Sequence, residues 1–258
     1  MIRFFVGNEN ITDENIYLDD PQDLKHLTRV LRARVGDRIS ISDGEAWEYL
    51  TEIREIGDTE VILGILEKSA FEREPETRVT LYQGMPKGTK LETIVQKSVE
   101  LGVKNIVPVF MSRTVVVDRG NFRKKQERLQ KIADEAVKQC KRGIIPEVSG
   151  AVDFEGMMEE MKRADHDLII AAYENENGYT IKDALRREED RDEMKTESSA
   201  ISIGLVIGPE GGFEEEEISA LGDAFGEKLK VVSLGKTILR TETAGIAALA
   251  MIMYELEL

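Results

Sequence analysis

From Val79 onward, short apolar runs alternate with longer amphipathic ones, and this alternation constrains the fold more than any other feature of the chain. The short runs are residues 79–83, 106–110, 167–172, 203–207 and 231–234. The longer ones, 91–101, 122–141, 154–163, 214–224 and 243–256, have helical length and spacing. Within 122–141, Leu129, Ile132, Ala133, Ala136, Val137 and Cys140 form one apolar stripe. Strands that alternate with helices specify an α/β domain with a mainly parallel sheet. In such sheets ligands bind beyond the carboxyl ends of the strands.

The first seventy residues follow another pattern. Residues 3–6 are β-prone. Asp20 followed by Pro21 starts a short helix, expected over 21–31. Gly36-Asp37 turns into 38–42, a strand of period two, and Asp43-Gly44 marks a hairpin. The β pattern continues through 47–56 and 61–66. Residues 1–72 therefore read as a small β-barrel domain and 73–258 as the α/β domain, joined by a charged linker at 71–76 that contains Pro75. Residues 174–199 are highly charged. A short helix is expected around 181–187, with the remainder a mobile insert.

Composition excludes several classes. A hydrophobic content of 41% supports a sizeable core. The apolar run 244–254 falls short of the ~20 residues needed to cross a bilayer, and the first residues lack the parts of a signal peptide. One cysteine permits no internal disulfide, and with two histidines leaves no zinc pattern. A cytoplasmic protein without metal or membrane partner is expected. The net charge of −15 argues against nucleic acid, but residues 83–145 carry fourteen Lys and Arg against six Asp and Glu. A local basic surface of this kind can bind a phosphate backbone.

Two loops stand where the ligand edge should be. Ile207-Gly208-Pro209-Glu210-Gly211-Gly212-Phe213 follows one strand, and the segment from Ser233 to Gly245 follows the next. Glycines at 208, 211 and 212 allow close backbone approach to a flat ligand. Gly235-Lys236-Thr237 imitates the end of a phosphate loop, but Lys230 stands where that motif needs glycine. The first loop is not Gly-x-Gly-x-x-Gly either. An adenosine-type ligand held by backbone groups fits both loops; tight turns before helices fit them too.

The pair Ile-Gly-Pro-Glu-Gly-Gly-Phe (207–213) and Ser-Leu-Gly-Lys-Thr-Ile-Leu-Arg-Thr-Glu-Thr-Ala (233–244) resembles the signature of the bacterial 16S rRNA (uracil-N3)-methyltransferases, of the SPOUT superfamily. Lys97-Ser-Val-Glu-Leu-Gly-Val103, Glu135-Ala-Val-Lys-Gln-Cys-Lys-Arg142 with Pro146, and His26-Leu-Thr-Arg-Val-Leu-Arg32 with Gly36-Asp37 extend the resemblance over almost the whole chain. It implies a PUA-like RNA-binding barrel before a knotted α/β methyltransferase domain with a C-terminal trefoil. It also implies a homodimer and methylation of uridine N3 in 16S rRNA, within the small ribosomal subunit or its precursor. A tRNA methyltransferase of the same superfamily, or a non-catalytic RNA-binding assembly factor, stays open.

S-adenosylmethionine is the implied cofactor. Ile207, Gly208, Pro209, Glu210, Gly211, Gly212, Ser233, Leu234, Gly235, Ile238, Leu239, Arg240, Thr243 and Ala244 are the residues expected to hold it. Arg240 and Glu242 are the expected catalytic pair: the arginine orients RNA or ligand and steadies charge on the uracil oxygens, and the glutamate organises the loop or the cofactor amino group. Pairing with each other, or capping of the next helix, is the plainer reading of both. Arg29, Arg32, Arg128, Lys138 and Arg142 are expected to meet RNA phosphates. Cys140 belongs to the packed stripe, and methyl transfer to a ring nitrogen needs no cysteine adduct. His26 suits RNA contact or a structural role, and His166 a structural one.

Overall fold

The computed structural model describes residues 3–71, 74–117, 120, 122–189 and 200–257. The chain divides into two compact units: residues 1–74 with 137–145, and residues 75–136 with 146–258.

The first unit is built on a five-stranded sheet of β1 (Arg3–Phe5), β2 (Asn15–Leu18), β3 (Arg38–Ser42), β4 (Trp47–Ile56) and β5 (Val61–Ala70). Their order is β1-β3-β4-β5-β2, with β1 parallel to β3 and the other pairs antiparallel. Phe4, Ile16, Leu18, Leu27, Ile41, Ile53 and Leu63 form its core. Asp43 makes the β3–β4 turn, its Oδ1 accepting from the amides of Glu45, Ala46 and Trp47 at 2.9 Å. Strand β5 runs four residues past the expected end and pairs Ala70 with Trp47. Strand β2 was not foreseen, being too short to show a period.

Helix α1 (Pro21–Lys25) starts as expected: the Asp20 side chain caps the amides of Gln22 and Asp23. It does not run on to residue 31 as an α-helix. From His26 to Val30 it widens to a π-turn, closed by the Leu31 amide on the His26 carbonyl at 3.0 Å. Leu27 thereby enters the core, and Arg32 follows in the left-handed region at φ 53°.

Residues 137–145 join this unit through polar bonds. Arg3 donates to the carbonyls of Lys141 and Arg142 at 2.6 and 2.7 Å, where a cation suits a helix C-terminus. Glu74, expected in a linker, accepts from the amides of Gly143 and Ile144 at 2.6 and 3.0 Å and pairs with Arg142 at 2.9 Å.

The second unit has a wholly parallel sheet of β6 (Arg78–Gly84), β7 (Asn105–Phe110), β8 (Glu147–Val148), β9 (Val152–Asp153), β10 (Leu168–Ala172), β11 (Ser202–Ile207) and β12 (Leu229–Val232). The order is β12-β10-β11-β6-β7-β8, with β9 also on β7. The helices are α2 (Lys90–Glu100), α3 (Phe122–Cys140), α4 (Phe154–Ala164), α5 (Ile181–Glu189), α6 (Glu215–Phe225) and α7 (Thr241–Glu257). Expected and observed bounds agree within two residues, and only the two-residue strands β8 and β9 were unforeseen. The α3 stripe buries Leu129, Ala133, Ala136 and Val137, whereas Cys140 is half-buried rather than in the core. The mobile-insert expectation falls largely on 190–199, outside the described residues. Helix α7, expected to find only one covered side, packs against α2, α5, β6 and β11.

Candidate functional site

The strand order places the site. Strand β12 lies on the far side of β10 from β11. The loops after β11 and β12 therefore flank the carboxyl end of β10, a reversal of the kind that opens a crevice in parallel sheets.

Beyond β11, residues 209–212 close a turn in which the Gly212 amide donates to the Pro209 carbonyl at 3.0 Å. Gly212 has φ 71°, and a β-carbon there would lie 1.8 Å from the Glu174 carboxylate. The positive φ favours glycine, and any larger residue would also have to displace the Glu174 carboxylate. Gly208 is tied to the start of α7: the Thr241 hydroxyl donates to its carbonyl at 2.6 Å and accepts from Gln83 Nε2 at 2.8 Å. Beyond β12, the Ser233 amide donates to the Tyr179 carbonyl at 2.8 Å and Gly235 turns the chain at φ 125°.

These loops and the end of β10 enclose a cavity of about 520 Å³. Of the residues expected to hold a cofactor, Ile207, Gly208, Pro209, Glu210, Gly211, Gly212, Ser233, Leu234, Gly235, Ile238, Leu239, Arg240 and Ala244 line it. Thr243 does not. Helix α7 begins at Thr241, two residues early, which turns Thr243 out to solvent and brings Thr241 to the cavity instead. The same shift puts Glu242 on the first helical turn rather than in the loop, and it is not a lining residue.

Sequence reasoning missed Lys90, Tyr173, Glu174 and Glu176, all of which line the cavity. Lys90 is the central omission. Its ammonium lies 3.0 Å from Glu210 Oε1 and 3.2 Å from Glu242 Oε2, joining α2, the glycine turn and α7. The hydrogen-bonded Glu210 carboxylate, and the Glu242 carboxylate beside it, raise the Lys90 pKa. Burial pushes the Glu210 carboxyl up, but the Lys87 amide at 3.0 Å and the Lys90 ammonium outweigh it and hold the group below its usual range. Glu242 Oε2 is buried and takes Lys90 as an ion-pair partner in a geometry short of a hydrogen bond. Arg240 does not pair with Glu242; it is exposed, with no ion-pair partner among the described residues.

A second brace was also missed. Arg113, in the turn after β7, donates to the Gly211 carbonyl at 3.2 Å and to Glu214 Oε2 at 2.8 Å. That guanidinium holds the Glu214 carboxyl low. Glu214 and Glu217 form a reciprocal capping box at the start of α6.

The expected phosphate contacts separate into two kinds. Arg29 and Arg32 are exposed on the π-turn segment. Arg128 is largely exposed and pairs with Glu92 at 2.9 Å; Lys138 lies 3.6 Å from Asp23. Arg142 is only 5% exposed and committed to Glu74, which withdraws it from the phosphate contacts. His26 stacks edge-on against Phe4, and His166 is buried between the Tyr82 hydroxyl at 3.0 Å and the Ser202 hydroxyl at 2.9 Å. Among the described residues no cluster is arranged to hold a metal, and no helix is long and apolar enough to cross a membrane.

Comparison with known proteins agrees with this architecture. The profile of an RNA methyltransferase domain matches residues 72–253, and that of an RNA methyltransferase PUA domain matches residues 18–66. The chain is 31% identical over 261 residues to the ribosomal RNA small subunit methyltransferase E of Bacillus subtilis (strain 168), covering 100% of this chain and 98% of the relative. Among solved structures it resembles a ribosomal RNA small subunit methyltransferase E from Neisseria gonorrhoeae bound to S-adenosyl methionine. That match has a TM-score of 0.77 and 28% identity, and covers 99% of this chain and 98% of the other. A methyltransferase from Legionella pneumophila in complex with the same cofactor matches with a TM-score of 0.75 and 29% identity, over 98% and 97% of the two chains. With a PUA-like sheet before a SPOUT-type α/β domain, the chain belongs to the RNA methyltransferase family of ribosomal RNA small subunit methyltransferase E.

Proposed function

We propose that this protein transfers a methyl group from S-adenosylmethionine to N3 of a uridine in 16S rRNA, in the small subunit or its precursor. The β-sheet unit grips RNA and the α/β unit holds the cofactor, the division expected near residue 72. The observation that carries the reading is the cavity itself. Two glycine-containing loops and the end of β10 enclose about 520 Å³, within the roughly 300–1,000 Å³ typical of small-molecule sites. Its walls offer backbone groups at Gly208–Gly212 and charges of both signs, Lys236 and Arg240 against Glu174 and Glu176. That mixture fits a cationic nucleoside bearing an amino-acid tail.

The bound cofactor supplies an electrophilic methyl group on a sulfonium. The chain supplies position and electrostatics. Neutral uridine carries a proton on N3, so charge develops on the uracil oxygens as that proton leaves. Arg240, exposed at the cavity and without a carboxylate partner among the described residues, is suited to steady that charge. Glu210 and Glu242 share the Lys90 ammonium. The Glu242 carboxylate sits against that ammonium between α2 and the turn, so we assign it to holding α7 and the turn in register rather than to proton removal.

RNA is held by the exposed arginines at 29 and 32, with Arg128 and Lys138 adding charge. Two copies pair through α7, where Met251 and Tyr254 are 40% and 66% exposed. At a spacing of three they share one helix face, and a two-fold pairing would cover both.

The test is transfer of labelled methyl from S-adenosylmethionine to isolated 16S rRNA and to small subunits, followed by nucleoside digestion. Label recovered as N3-methyluridine supports the reading. Label on another nucleoside, or on tRNA alone, overturns it.

A further inference from the structure

We propose that Arg113 is a positioning residue for the cofactor turn, acting through the Gly211 carbonyl from the segment after a strand that does not border β11. The inference rests on reading the cavity as the S-adenosylmethionine site, and it adds a residue from outside the two loops that form the walls.

The sheet order makes such a device necessary. Strand β11 delivers the glycine turn, but β6 separates it from β7. No ladder of backbone hydrogen bonds can therefore link the turn to the segment after β7. Two side chains make the link. The Ser112 amide donates to Glu217 Oε1 at 2.9 Å, while Glu217 Oε2 accepts the Glu214 amide at 2.9 Å. Glu217 is buried, so this half fixes the start of α6. Arg113 makes the other half and reaches the turn itself: one guanidinium nitrogen goes to the Gly211 carbonyl and the other to Glu214.

The approach is close. A β-carbon on Gly211 would lie 2.7 Å from Arg113 Cβ and 3.0 Å from the Arg113 carbonyl. The glycine at 211 is thus explained by Arg113 at its back as well as by a ligand at its front. Fixing the Gly211 carbonyl fixes the plane of the peptide joining Gly211 to Gly212. Both residues line the cavity. The planar fork matters more than the charge, because the two acceptors differ in kind and position.

The experiment is calorimetric titration of the full-length protein with S-adenosylmethionine, without RNA or turnover. Arg113→Ala is expected to raise Kd about tenfold, the scale of one charge-assisted hydrogen bond. Arg113→Lys keeps a charge for Glu214 but cannot hold both acceptors, and is expected to stay nearer to the alanine variant than to wild type. Millimolar guanidinium, against matched sodium chloride, should restore affinity to the alanine variant and leave wild type unchanged. Glu214→Gln, which retains a side-chain cap for α6, should weaken binding in the same direction and serves if Arg113→Ala fails to fold. Unchanged affinity in Arg113→Ala, or a loss that lysine repairs fully, overturns the positioning role. Wild type that does not bind S-adenosylmethionine overturns the cofactor reading itself, and this inference with it.

Discussion

Replacing Thr241 with valine isolates the hydroxyl that ties α7 to the glycine turn. Thr241 is 5% exposed and Gln83 is fully buried, so little solvent reaches the bonds that are lost. Valine keeps the shape and removes two bonds, the 2.6 Å donation to the Gly208 carbonyl and the 2.8 Å acceptance from Gln83 Nε2. Gln83 Nε2 retains the Gly84 carbonyl at 3.0 Å, so its loss is partial. The Gly208 carbonyl loses its side-chain donor entirely. A buried polar group left unpaired costs about 1–3 kcal/mol, and the weakened amide adds a smaller amount, giving about 2–4 kcal/mol in all. Urea unfolding monitored by circular dichroism measures that cost, and titration with S-adenosylmethionine measures the effect on the turn. Thr241→Val should show both a lower midpoint and weaker binding, and Thr241→Ser should recover both. If valine stays within about 0.5 kcal/mol of wild type, the relay contributes nothing net and the argument fails.

Four further outcomes are expected. Arg142→Ala removes the cation from a half-buried Glu74 carboxylate that keeps only the Gly143 and Ile144 amides, and should cost about 1.5–3 kcal/mol in urea unfolding; the salt dependence of RNA binding should not change, whereas Arg29→Ala with Arg32→Ala should flatten it without altering stability. Burial lowers the His166 pKa below its ordinary 6.5, so the unfolded chain binds a proton that the folded one resists. Stability should therefore be full above about pH 6.5 and fall as pH drops toward the folded pKa, and His166→Gln should reduce that slope between pH 7.5 and 5.5. Charges at Met251 and Tyr254, which are exposed, should convert a 58 kDa species to about 29 kDa by light scattering; Ile252 and Met253 are buried within one protomer, where a charge would unfold it instead. Arg240→Ala should lower the single-turnover rate more than cofactor affinity, and equal rates at saturating cofactor would remove it from catalysis.

Periodicity revealed most of the sheet and helices, because apolar positions repeat at 2 or 3.6 residues wherever one face is buried. It failed at β2, β8 and β9, which span too few residues to show a period. The π-turn at His26–Val30 was equally hidden, since it keeps helical composition and changes only the hydrogen-bond step. In the site, the two glycine loops were legible from their own residues. Glu174 and Tyr173 were not, because only the reversal that puts β12 beyond β10 brings the end of β10 between those loops. Lys90 looked like any charge on an amphipathic helix, and Arg113 like any arginine after a strand. Arg142 misled in the opposite direction. It sits in a basic run, but the carboxylate that neutralises it, Glu74, is 68 residues earlier in the chain.

Nucleoside mass spectrometry of 16S rRNA most directly tests the central claim, that this cavity serves methylation of a uridine at N3. The RNA should come from a strain lacking this gene and from the same strain with the gene restored. N3-methyluridine should be absent from the first and return in the second, and the Arg240→Ala variant should restore little of it. Its presence at full level without the gene, or the return of a different methylated nucleoside, would contradict the assignment.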